Sequence, residues 1–114
     1  QRVAIYLPAI VLPEIAAVIS RGTGQPALAQ RLVNLVQCLA NVTIVAVDEA
    51  ISRAAAGLAA RHAIRGCDAV YVAVAQAHDA TLVTLDREQR ERVPAGMVAM
   101  SPAEALSALG RRGG

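Results

Sequence analysis

The chain has no tryptophan and no phenylalanine, and Tyr6 and Tyr71 are its only aromatic residues. Its interior must therefore be held by dispersion among small aliphatic side chains, which make up most of a hydrophobic share of 55%, and stacking of nucleic-acid bases on rings is disfavoured as a binding mode. Lysine is absent too, since all 11 basic residues are arginine. That excludes a doubly wound phosphoacceptor domain, which needs a lysine near a strand-end aspartate. Against 9 acids the net charge is only +2, too small for a nonspecific polyanion binder, although an arginine-lined groove can still grip phosphate bidentately. The two cysteines, Cys38 and Cys67, lack the close spacing of a metal or redox motif and are expected to be reduced, in a cytoplasmic protein. No apolar run approaches the roughly 18 residues of a membrane span, and no basic stretch leads into a hydrophobic signal core.

What is present reads as one domain. A length of 114 residues buries roughly two-thirds of the surface that the unfolded chain exposes. Val3 to Leu7 is a short extended candidate, punctuated by Pro8 and Pro13. Pro13 suits the first turn of a helix over Glu14 to about Arg21, with Gly22-Thr23-Gly24 as its stop. Leu28, Leu32, Leu35, Val36 and Leu39 recur at helical spacing between Gln25 and Ala40. Val42 to Val47 is the clearest strand, and Asp48 is placed to cap an alanine-rich helix reaching His62. Met97 to Met100 reads as a last short strand, Ser101-Pro102-Ala103-Glu104 as the start of a closing helix, and residues 110–114 as a flexible tail. Strands alternating with helices imply an α/β fold with a small parallel sheet.

The stretch from Asp68 to Asp86 organises the rest. Asp68 stands where a helix N-cap belongs, before the apolar run Ala69, Val70, Val72, Ala73, Val74 and Ala75. His78-Asp79 breaks that run, with Asp79 in the helix-closing position where left-handed backbone is common. Thr81 to Leu85 reads as an interior parallel strand ending at Asp86. In an open α/β sheet, helix starts and strand ends share the ligand-binding edge, so Asp68 and Asp86 are expected side by side there, with Glu14 as a third acid in a first helical turn. Each has an ordinary role as a cap or a partner of the helix dipole. Together, partly desolvated, they would repel unless a cation lay between them, and a hard ion such as Mg²⁺ is held by one or two carboxylates with waters and substrate phosphate. His62 and His78 lack a helical i, i+4 partner and read as surface or cap residues. Arg87 is a candidate for phosphate contact or a structural ion pair. Arg53, Arg61 and Arg65 read as a solvated face.

The segments PAIVLPEIAAVI, RGCDAVYVAVA and ATLVTLD resemble, in order and spacing, the motifs of the PIN-domain family, especially the small toxin nucleases of bacterial VapBC pairs. The resemblance covers residues 3 to 109. It implies an α/β/α sandwich and a metal-dependent endoribonuclease using Mg²⁺ or Mn²⁺, the toxin of a type II toxin–antitoxin pair. Its implied partners are an RNA substrate, a cognate VapB-type antitoxin and a second copy in a homodimer. Glu14, Asp68 and Asp86 fall on three of the family's acidic positions, as metal ligands, with Glu14 alternatively positioning the attacking water. Thr84 falls on its usual Ser/Thr, expected to orient Asp86 or a metal-bound water, or else to be a strand residue bonding a neighbouring backbone. The family's first acid ends an opening strand, and here no acid precedes Glu14. The expectation is accordingly an N-terminally incomplete single PIN-like domain, weakly active or inactive by itself. The alternative is a catalytically inactive PIN-like module that binds RNA or protein.

Overall fold

The computed structural model describes residues 3–113. By its internal contacts the chain, expected as a single domain, divides into two compact units, residues 3–47 and 48–113.

The first unit contains β1 (Ile5–Pro8), α1 (Val11–Thr23), α2 (Pro26–Cys38) and β2 (Val42–Val45). The extended candidate at the start is therefore a strand, closed by buried Pro8, whose missing N–H is tolerated at a strand end. β1 and β2 run parallel, with Ile5 opposite Val42 and Pro8 opposite Val45, which the two intervening helices make possible. Pro13 lies in the first turn of α1, where its lack of an N–H costs nothing. Gly24, at φ 66°, closes the helix by donating its N–H to the Ser20 carbonyl oxygen. In α2 the buried face is centred on Ala29 and Val33, with Leu28, Leu32 and Val36 half-buried. Leu35 and Leu39, expected on that stripe, are exposed, because the buried face is turned away from them around the helix.

The second unit contains α3 (Glu49–His62), α4 (Gly66–Ala77), β3 (Leu82–Val83), α5 (Arg87–Glu91), β4 (Ala99–Met100) and α6 (Pro102–Gly113). Asp48 caps α3 as expected, accepting from the Ile51 N–H at 2.9 Å. The core joins Ala55 and Leu58 of α3 and Ile64 to Ala69, Val72, Ala73 and Ala75 of α4 and to Leu82 of β3. Alanines on facing helix surfaces let α3 and α4 approach closely, which is how a chain without large rings still packs tightly. β3 and β4 are parallel, Leu82 opposite Ala99 and Val83 opposite Met100. The strands are thus parallel, as the alternation implies, but they form two two-stranded sheets, one in each unit. Of the expected interior strand only Leu82 is buried, and Leu85 is 85% exposed, because a two-stranded sheet does not cover both faces of its strands.

Ser101 and Glu104 form a reciprocal capping box at the start of α6: the Ser101 N–H donates to Glu104 Oε1 at 2.9 Å, and the Glu104 N–H donates to Ser101 Oγ at 3.1 Å. The Ser101 N–H holds the Glu104 carboxyl below its ordinary range, with the Ser101 hydroxyl and Arg90 acting in the same direction. Of the tail expected over residues 110–114, the backbone is helical as far as Gly113, and residue 114 lies outside the described residues. Among the described residues no helix is long and apolar enough to cross a membrane, and Cys38 and Cys67 are both exposed and unpaired.

Ala63, at the C-terminus of α3, takes a left-handed backbone at φ 54°. A Cβ there costs roughly 1 kcal/mol relative to glycine. Ala63→Gly is therefore expected to raise the melting temperature by several degrees. A fall on thermal denaturation would show that the turn is not strained.

Candidate functional site

Asp68 is not a helix cap. α4 begins at Gly66 with Arg65 in the N-cap position and no capping side chain, which puts Asp68 inside the first turn. The shift of the cap by three residues has a chemical consequence: the Asp68 carboxylate is not occupied by backbone N–H groups and forms no ion pair among the described residues. Asp86 is the N-cap of α5 and accepts from the Glu88 N–H at 2.9 Å and the Gln89 N–H at 3.3 Å. Both bonds fall on Oδ1, and Asp86 too forms no ion pair among the described residues.

These two acids line one open cleft of about 90 Å³, together with Ala63, Ile64, Arg65, Glu88, Gln89 and Arg92. The cleft is built within residues 48–113. A larger cavity of about 260 Å³ lies at the C-terminal end of α4, but its only acid is Asp79, at φ 49° in the left-handed position expected of it. The smaller cleft is therefore the candidate site.

Thr84 makes two hydrogen bonds through its hydroxyl. Its hydroxyl oxygen accepts from the Asp86 N–H at 3.1 Å, a backbone bond that also fixes the aspartate, and its hydroxyl donates to Gln89 Oε1 at 2.7 Å. The short helix α5 is fastened at further points. Arg90 donates to the Thr84 carbonyl oxygen at 2.7 Å, Arg92 donates to the Ala63 carbonyl oxygen at 2.6 Å, and Arg92 pairs with Glu88. Two of the cleft's charged groups thus neutralise each other, and Arg65 has no such partner among the described residues.

Glu14 belongs to the other unit, where it is exposed in the first turn of α1. Arg87 forms the structural ion pair considered for it, with Glu91 at 3.0 Å, and Arg53 pairs with Glu49. His62 ends α3 and His78 occupies the C-cap position of α4. The sequence reading missed Gln89, Glu88 and Arg92. A signal for Gln89 existed: Asp86-x-x-Gln89 has capping-box spacing, although the glutamine bonds the Thr84 hydroxyl instead of the cap's own N–H.

Among the described residues no group of three or more His, Cys, Asp and Glu side chains is placed to hold a metal ion. The cleft offers two unpaired carboxylates and no nitrogen or sulfur donor. This donor set does not suit a closed zinc site, and it does suit Mg²⁺ or Mn²⁺, which keep several waters beside one or two carboxylates.

Residues 2–93 match the PIN domain profile, and the chain belongs to the PIN-domain family. The crystal structure of VapBC2 from Rickettsia felis, bound to a DNA fragment from its promoter, is similar over 86% of this chain and 74% of that chain, with a TM-score of 0.65 and 20% identity. At that identity the likeness is one of fold. No protein of curated function matches the chain.

Proposed function

We propose that this chain is a metal-dependent endoribonuclease of the VapC type, using Mg²⁺ or Mn²⁺. It acts in the cytoplasm as the toxin of a type II pair, forms a homodimer and is held by a VapB-type antitoxin. The observation that carries the reading is the pair Asp68 and Asp86, facing one cleft with neither carboxylate neutralised although two arginines line the same cleft. Family membership supports nuclease chemistry, and the fold likeness to a protein named VapBC2 supports the toxin assignment.

When bound, a divalent ion would supply a water of lowered pKa and neutralise charge developing on a phosphodiester. Asp68 and Asp86 would hold it. Thr84 keeps Asp86 in place through its backbone N–H, and Gln89 ties Thr84 to the first turn of α4. Arg65 offers a guanidinium to a substrate phosphate. The part assigned to Glu14 rests on its motif alone.

The test is cleavage of single-stranded RNA by the protein with Mg²⁺ or Mn²⁺, and its loss on chelation with EDTA. Cleavage that survives EDTA would overturn the reading. A second reading, an inactive PIN-like binding module, is favoured by the want of a three-acid group among the described residues. Retention of RNA without cutting at saturating Mn²⁺ would support it instead.

A further inference from the structure

Gln89 is the one polar side chain buried among the described residues, at 8% exposure, and none of the family-like motifs contains it. Its carboxamide joins the two segments that carry the cleft's carboxylates. Oε1 accepts from the Thr84 hydroxyl at 2.7 Å, and Nε2 donates to the Asp68 carbonyl oxygen at 3.4 Å. Its backbone N–H donates to Asp86 Oδ1 at 3.3 Å, while the Thr84 hydroxyl oxygen accepts from the Asp86 N–H at 3.1 Å. The amide is fixed in one orientation, because turning it over would set its oxygen against the Asp68 carbonyl oxygen.

Asp68 sits in the first turn of α4 and Asp86 at the start of α5. Gln89 is bonded to both. We infer that Gln89 is a positioning residue that fixes the spacing of the Asp68 and Asp86 carboxylates, and through that spacing sets the affinity of the cleft for a divalent cation. The inference rests on the metal-site reading above and concerns a side chain whose two hydrogen bonds go to Thr84 and to the Asp68 backbone. Its physical basis is the narrow tolerance of small octahedral cations, which take oxygens at about 2.0–2.1 Å. Outer partners that hold such ligands are commonly worth about 10–100-fold in metal affinity.

The experiment is a Mn²⁺ titration followed by electron paramagnetic resonance, without RNA, on the wild type, Gln89→Met, Asp68→Asn and the double variant, with a thermal melt of each. Methionine keeps the volume and removes both side-chain bonds. Gln89→Met is expected to bind Mn²⁺ about 10–100-fold more weakly while folded. The same substitution is expected to lose far less in the Asp68→Asn background, where one of the two spaced carboxylates is gone. Wild-type affinity in folded Gln89→Met overturns the inference, and so does an equal loss in both backgrounds.

Should Gln89→Met fail to fold, Thr84 carries the test. Thr84→Ser keeps the hydroxyl that anchors the amide and should retain Mn²⁺ affinity, whereas Thr84→Val should lose it. Equal affinity in these two variants would overturn the inference. A wild-type protein that binds no Mn²⁺ removes the metal-site reading itself, and the role of Gln89 with it, so the two failures are told apart.

Discussion

Asp68→Asn is expected to slow metal-dependent RNA cleavage by about 10²–10³-fold, the scale lost when one preorganised electrostatic contact at a reacting centre is removed, while leaving the fold intact. The substitution preserves shape and removes a charge. The Asp68 carboxylate caps no helix and forms no ion pair among the described residues, so only its interaction with the helix dipole is lost, and a stability change of about 0.5 kcal/mol is expected. The bond from Gln89 goes to the Asp68 backbone oxygen and survives. Asp86→Asn should behave alike for a different reason. Asp86 does cap α5, but asparagine caps as well as aspartate. Single-turnover cleavage in Mn²⁺ beside a circular-dichroism melt checks both, and a folded Asp68→Asn protein that cuts at the wild-type rate would remove Asp68 from the site.

Leu58→Ala should be the most destabilising single truncation in residues 48–113, by about 3 kcal/mol within a usual span of 2–5. Leu58 is 1% exposed and is among the largest fully buried side chains. Its neighbours in the core include Ala55, Ala69, Ala73 and Ala75, and methyl groups are too short to move into the space it leaves. A cavity that cannot collapse keeps its full cost. Against a total stability of about 5–15 kcal/mol this is a large fraction, equivalent to a fall in melting temperature on the order of 10 °C. Leu85→Ala is the control: at 85% exposure it should change stability by less than about 0.5 kcal/mol. Urea titration decides the matter, with a lowered midpoint and an unchanged slope for Leu58→Ala. A loss below about 1 kcal/mol would show that the alanine-lined interface closes over the gap.

Much of the architecture was legible because it is written locally. The Asp48 cap, the Gly24 stop, the left-handed Asp79, the Ser101–Glu104 start of α6 and the buried run of α4 each follow from the chemistry of a few adjacent residues. The errors have one origin. Asp68 looks like a cap because aspartate before an apolar run usually is one, but nothing local says that the chain turns helical two residues earlier, at Gly66. Leu35, Leu39, Val83 and Leu85 carry the right side chains for burial and are exposed, since which part of an apolar face is covered depends on the element laid against it. Gln89 lay unseen in a polar turn, because its two side-chain partners, five and 21 residues away in sequence, meet it only through folding.

The sequence by itself determined the kinds of element, most of their ends, an aliphatic core without aromatic rings, and three family-like acid positions at Glu14, Asp68 and Asp86. Capping, backbone preference and apolar periodicity act over a few residues and need no knowledge of the fold. Tertiary structure alone decided that Asp68 and Asp86 face one cleft, that among the described residues their carboxylates form no ion pair while Arg92 is taken by Glu88, and that a buried amide ties their backbones together. Such facts depend on distances between segments remote in the chain, and those distances are set by packing.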